Sequence, residues 1–128
     1  MKQLKPLVYI LFVYGMGLHS CSAQPAVENT SLQLVGSVLL PGVKGRIDHL
    51  AYNSRYGRVY IAALGNNSVE VVDIKWGKLV HGIKELQEPQ GIVFIGLSNT
   101  ILVANGNNGS CDIFSAETFQ KTGSVHIR

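Results

Sequence analysis

An all-β repeat fold is what this 128-residue sequence predicts, and three observations predict it. Displaced by 42 residues, the chain lies on itself without a gap: Ala62 meets Ala104, Asn66 meets Asn108 and Ser68 meets Ser110. Around these identities the chemical classes match: Leu50 with Ile92, Tyr52 with Phe94, Val59 with Ile101, Tyr60 with Leu102, Ile61 with Val103, Glu70 with Asp112, Val71 with Ile113 and Val72 with Phe114. Each copy consists of short apolar runs broken by Gly and Asn turns, without the 3.6-residue periodicity that helical repeats require. A period of about 40–45 residues built from four short strands is that of a β-propeller blade. The expected architecture is two four-stranded antiparallel blades plus an orphan outer strand, an incomplete propeller.

The elements follow in order. Residues 34–40, within "LQLVGSVLLPG", read as a lone outer strand, because their "GSV" recurs in the last strand at Gly123–Val125. The first blade, 45–83, has strands expected near Ile47–Asn53, Arg58–Leu64, Ser68–Ile74 and Lys78–Ile83. The turns "SRYG", Gly-Asn-Asn and "KWG" separate them. The second blade, 88–127, has strands near Gly91–Ile95, Thr100–Asn105, Ser110–Ser115 and Gln120–Ile127. The inner strands are apolar on both faces, as expected when blades stack. Glu70 reads as an outward charge on the third strand. Two Gly-Asn-Asn clusters, at 65–67 and 106–108, lie 41 rather than 42 residues apart, so the turn residues slip by one against the strands. Gly and Asn suit tight hairpin turns that require positive φ. A calcium-like ion or a sugar on these amides is the competing reading, and the absence of carboxylates in the turns weakens it.

Residues 1–23 have the three parts of an export signal. Lys2 and Lys5 precede an apolar run, Leu7–Leu18, and small residues follow. A run of this length is shorter than the roughly 20 residues a spanning helix needs. "LHSC" resembles a bacterial lipobox ending at Cys21, which makes Cys21 a candidate for lipidation; a competing cleavage follows Ala23. The expectation is a periplasmic or lipid-anchored bacterial protein, with 24–33 as a linker and any membrane contact made through that anchor. The remaining Cys111 falls on the strand position of Val69, where a small buried hydrophobe suffices. No disulfide framework or zinc spacing is present.

The formal charge of +3 comes largely from the signal. Without Lys2 and Lys5 the 11 basic residues fall to 9 against 8 acidic ones, with no basic run, so nucleic-acid binding is not expected.

"GRIDHLAYNSRYGRVYIAALGNNSVEVVDIKWGKLVHGI", followed by "EPQGIVF" and "ILVANGNNGSCDIF", resembles the YVTN-type β-propeller repeat proteins. These are exported bacterial relatives of the NHL and quinoprotein-like propellers. The resemblance covers about Leu34 to Ile127. "YIAALGNNSVEVVD" resembles the family's second strand, turn and third strand; in the second copy Cys111 and Ser115 replace the usual valine and aspartate. The resemblance implies the fold, which serves binding, scaffolding and several unrelated enzymes, so function has to come from a site.

In a four-stranded meander the turn between the second and third strands shares an end with the connection into the first. The Gly-Asn-Asn turns therefore share an end with Gly45–His49 and Glu88–Gly91. Arg46, Asp48 and His49 are the densest polar cluster, suited to an anion, hydrogen bonds or proton transfer. Backbone bonding that fixes the connection into the first strand is the other reading of Asp48 and His49, and the favoured one, since no orienting partner is visible in the sequence. Gln90, at the place matching Asp48, and Asn105 complete the candidate ligand contacts. No catalytic residue, metal site or cofactor is predicted, since no nucleophile elbow, phosphate loop or zinc helix motif occurs. The expected function is an exported binding or scaffold module for a small molecule or protein, with part of a lactonase-like hydrolase or quinoprotein-like oxidoreductase as the alternative. Propellers close with about 4–8 blades. Two blades therefore read as part of a longer propeller, or as a unit that self-associates through exposed blade faces.

Overall fold

The structure is a computed structural model and describes residues 32–126. The signal segment 1–23 with Cys21, and nearly all of the 24–33 linker, lie outside the described residues. Eight strands run β1 Leu50–Asn53, β2 Arg58–Ala63, β3 Ser68–Asp73, β4 Lys78–Ile83, β5 Pro89–Ile95, β6 Thr100–Asn105, β7 Ser110–Ser115 and β8 Lys121–His126. They form two four-stranded antiparallel sheets, β1-β2-β3-β4 and β5-β6-β7-β8.

The repeat is written into backbone handedness as well as side chains. Left-handed residues close all three hairpins of each sheet at matching positions: Gly57 and Asn99, Asn67 and Gly109, Gly77 and Phe119. Each pair is 42 apart, so the left-handed position keeps register while the Gly-Asn-Asn tripeptide slips around it. Asn and Gly tolerate this conformation best. In the first sheet the turn is a single 3-10 turn, Leu64–Asn66, ended by Asn67 at φ 52°.

One core joins the sheets. Tyr60, Val69, Val71, Ile83 and Leu86 pack with Ile101, Val103, Phe114 and Ala116, and Ala51, Ile92 and Phe94 close its edge. The rings of Tyr60 and Phe94 meet at 6.0 Å with a 47° tilt, inside the range favourable for aromatic pairs. Strand β5 lies against β1 and β2, so the first strand of one blade seats on the inner strands of its neighbour.

Three expectations need correction. Residues 34–40 form no strand: among the described residues the ladder of β8 runs to β7 alone, and Leu34, Val35 and Leu39 stay exposed. Among the described residues the segment's one backbone bond is the local turn from Val43 N–H to the Leu40 carbonyl, and a strand without a ladder does not form. Glu70 is not an outward charge. It is buried, and its carboxylate is satisfied by the Ser68 hydroxyl at 2.7 Å and by the Lys84 ammonium. Those partners offset the desolvation that excludes bare carboxylates from interiors. Finally, the inner strands are buried on both faces only in the first sheet; β6 and β7 alternate buried and half-buried residues.

Candidate functional site

The approach to the first strand is bulged in both sheets. In the second sheet Pro89 pairs with Asn105 and Gly91 with Ala104, which leaves Gln90 as an extra residue. In the first, Asp48 N–H donates to the Ala62 carbonyl at 3.0 Å while Ala62 N–H donates to the His49 carbonyl at 2.9 Å, so two residues face one. Bulges kink a strand and re-aim the extra side chain. Asp48 and Gln90, 42 apart, hold equivalent bulge positions. Their backbone role recurs while their side chains differ.

The first Gly-Asn-Asn turn is a frame. Asn66 accepts from Lys44 N–H at 2.8 Å and donates to the Gly42 carbonyl at 2.8 Å. Gly65 N–H donates to the Arg46 carbonyl. A Cβ on Gly65 would lie 2.8 Å from the Lys44 carbonyl oxygen and 3.0 Å from the Arg46 nitrogen, so only glycine lets the chain pass this closely. Asn67 reaches to the next blade's connection, accepting from Glu88 N–H at 2.9 Å. In the second turn Asn107 bonds Gln87 through backbone and side chain, and Asn108 accepts from Ser110 N–H.

On this frame Asp48 lies between two exposed partners. Arg46 Nη2 is 2.9 Å from Asp48 Oδ2, and His49 Nδ1 is 3.4 Å from Asp48 Oδ1. The Asp48 side chain is 15% exposed, against 66% for Arg46 and 64% for His49. The carboxylate therefore serves as the fixed member and the two nitrogen groups face water. A guanidinium beside an imidazole suits a carboxylate or phosphate. At 3.4 Å the His49–Asp48 contact is an ion pair only when the imidazole is protonated. Among the described residues no group of three or more His, Cys, Asp or Glu side chains converges on a metal site.

The other two candidates stand apart from this group. Gln90 is exposed and folds over Gly106. Asn105 is not open to a ligand: it is 3% exposed, accepts from Gln87 N–H at 3.2 Å, and donates to Ser110 Oγ at 3.0 Å and Asp112 Oδ2 at 2.9 Å. Its amide belongs to a buried polar network. Asp112 also accepts from Ser124 Oγ at 2.6 Å and pairs with Lys121 at 2.7 Å. The signal for that role was in the sequence, since Ser-x-Asp at 110–112 repeats the Ser-x-Glu of 68–70.

Sheet order, register and blade stacking define a β-propeller module, here two adjacent blades. Solved structures agree. Kuenenia stuttgartiensis hydrazine synthase superposes with TM-score 0.66 and 22% identity, over 74% of this chain and 27% of that one. The β-propeller domain of Myceliophteria thermophila Cps50 (Swd1) matches with TM-score 0.61 and 8% identity, over 74% of this chain and 29% of that one. Apo AztD from Citrobacter koseri matches with TM-score 0.59 and 17% identity, over 71% of this chain and 25% of that one. The chain thus spans about a quarter of the length of these proteins, and the likeness is one of fold. No protein-family model and no curated protein matches the sequence.

Proposed function

We propose that the chain is an exported binding module of a larger β-propeller, taking a small anionic molecule or an acidic side chain at Arg46, Asp48 and His49. The observation that carries this reading is the contrast within one end of the blades. The turn amides are spent on the frame, whereas Arg46 is held by the Asp48 carboxylate, His49 approaches its other oxygen at 3.4 Å, and both are left largely exposed. In a ring, the first strand of each blade lines the central channel, so this cluster sits at the channel mouth. The strand–turn–strand run 60–73 supports a YVTN-type assignment, and the N-terminal pattern supports export.

Titrating the labelled protein with acetate, citrate and inorganic phosphate tests the site. Amide shifts should centre on residues 44–49 and saturate in the millimolar range, and Arg46→Ala with His49→Ala should abolish them. Shifts spread over all lysines, or unchanged by the two substitutions, would count against it. Export has a separate readout. In a bacterial host the chain should appear in the membrane fraction, and Cys21→Ala should move it to the soluble periplasm. Retention in the cytoplasm would remove the export reading.

A further inference from the structure

The two broad faces of the second sheet differ. One carries Ile101, Val103 and Phe114 and is buried against the first sheet. The other presents Val93, Leu102, Cys111, Ile113 and Val125, with Val93 48% and Val125 55% exposed. An apolar depression of about 290 Å³ opens there among β5, β6 and β7. Exposed apolar area of this kind marks an association surface.

The repeat says what fits it. Forty-two residues earlier, these five positions are Ala51, Tyr60, Val69, Val71 and Ile83. All five contribute to the core shared by the two sheets. What seats on them is β5, through Ile92 and Phe94. The counterparts of Ile92 and Phe94 in the first blade are Leu50 and Tyr52, which stand 60% and 58% exposed. The molecule thus displays an unfilled copy of the socket at one end and an unburied copy of the plug at the other.

We infer that a second copy of this chain docks head to tail, with its β1 residues Leu50 and Tyr52 against Val93, Leu102 and Cys111 of the first. The interface repeats the internal contact between blades, so each added chain advances the structure by two blades. Head-to-tail contacts close when the rotation allows. A ring of about 4–8 blades then needs about two to four chains. This inference is independent of the ligand site, because its readout is mass and not occupancy.

Sedimentation velocity on the full chain tests it. The wild type should form a discrete species of two to four chains as concentration rises. Tyr52→Glu and Leu102→Arg should each give monomer. Their equimolar mixture should give a two-chain species that grows no further, since one intact plug then meets one intact socket. If Leu102→Arg loses its β-sheet circular dichroism, Val93→Glu replaces it at a more exposed position of the same face. A wild type that stays monomeric overturns the inference. So does an assembly that survives Tyr52→Glu, which would mean the two sockets meet face to face or the contact lies elsewhere.

Discussion

Tyr60→Ala is expected to destabilise the domain by about 3–5 kcal/mol, the range for removing a buried aromatic side chain. Tyr60 is fully buried, its ring lies against Phe94 of the next blade, and its hydroxyl accepts from Asn53 Nδ2 at 2.8 Å. Burial pushes its phenol above the ordinary tyrosine range, so the ring is neutral at any working pH. Three losses coincide in the alanine variant: apolar contact, a cavity at the blade junction, and a partner for a buried amide. Tyr60→Phe separates them. It keeps the ring and strands only the Asn53 amide, at a cost of about 1–3 kcal/mol. Denaturant unfolding of the three proteins measures both steps. A Tyr60→Ala cost below that of Tyr60→Phe would show that the blades do not share this core.

Acid sensitivity should trace to Asp112. Burial raises its pKa, but hydrogen bonds from Lys121, Ser124 and Asn105, with the Lys121 charge, outweigh it and hold the carboxyl below the ordinary aspartate value. The folded protein thus binds this proton less readily than the unfolded chain does. Asp112 therefore contributes full stability above the ordinary aspartate pKa of about 4 and loses it as pH falls through the lower folded value. Asp112→Asn should flatten the loss of stability across that window. Asp112→Ala should cost about 1–3 kcal/mol at neutral pH, because Ser124 loses its acceptor and the Asn105 amide one of its two. Melting temperature against pH for the wild type and both variants checks this. An acid limb of equal slope in all three would assign the sensitivity to other carboxylates.

The fold was legible because its two signals are periodic. Side-chain classes repeat at 42, and apolar runs are short and turn-bounded, so sheet count and strand order follow. The strand at 34–40 failed because pairing is a property of two segments, and sequence pattern shows only one of them. Glu70 failed for a related reason: Lys84, which pairs with it, is 14 residues away, beyond what a local reading weighs. At the site, the shared end of Arg46, Asp48, His49 and the Asn turns came from meander topology alone. The bulge that re-aims Asp48 and Gln90 did not, since an extra residue in a strand leaves no compositional mark. Asn105 could not be separated from an open contact without Asp112 and Gln87 beside it.

The left-handed residue Phe119 has a consequence for how the two blades depend on each other. Its counterpart Gly77 takes that conformation freely, while a bulky residue there stores of order 1–3 kcal/mol of strain. Phe119 stacks on His81 at 4.5 Å, with the Arg58 guanidinium 5.3 Å from its ring, and both partners belong to the first blade. The last hairpin of the second blade is thus clamped by side chains of the first. The two repeats therefore depend on each other at a distance: cutting back His81 or Arg58 in the first blade removes the ring contacts of a turn in the second, and leaves that turn to its own bonds from Phe119 and Thr118 N–H to Ser115.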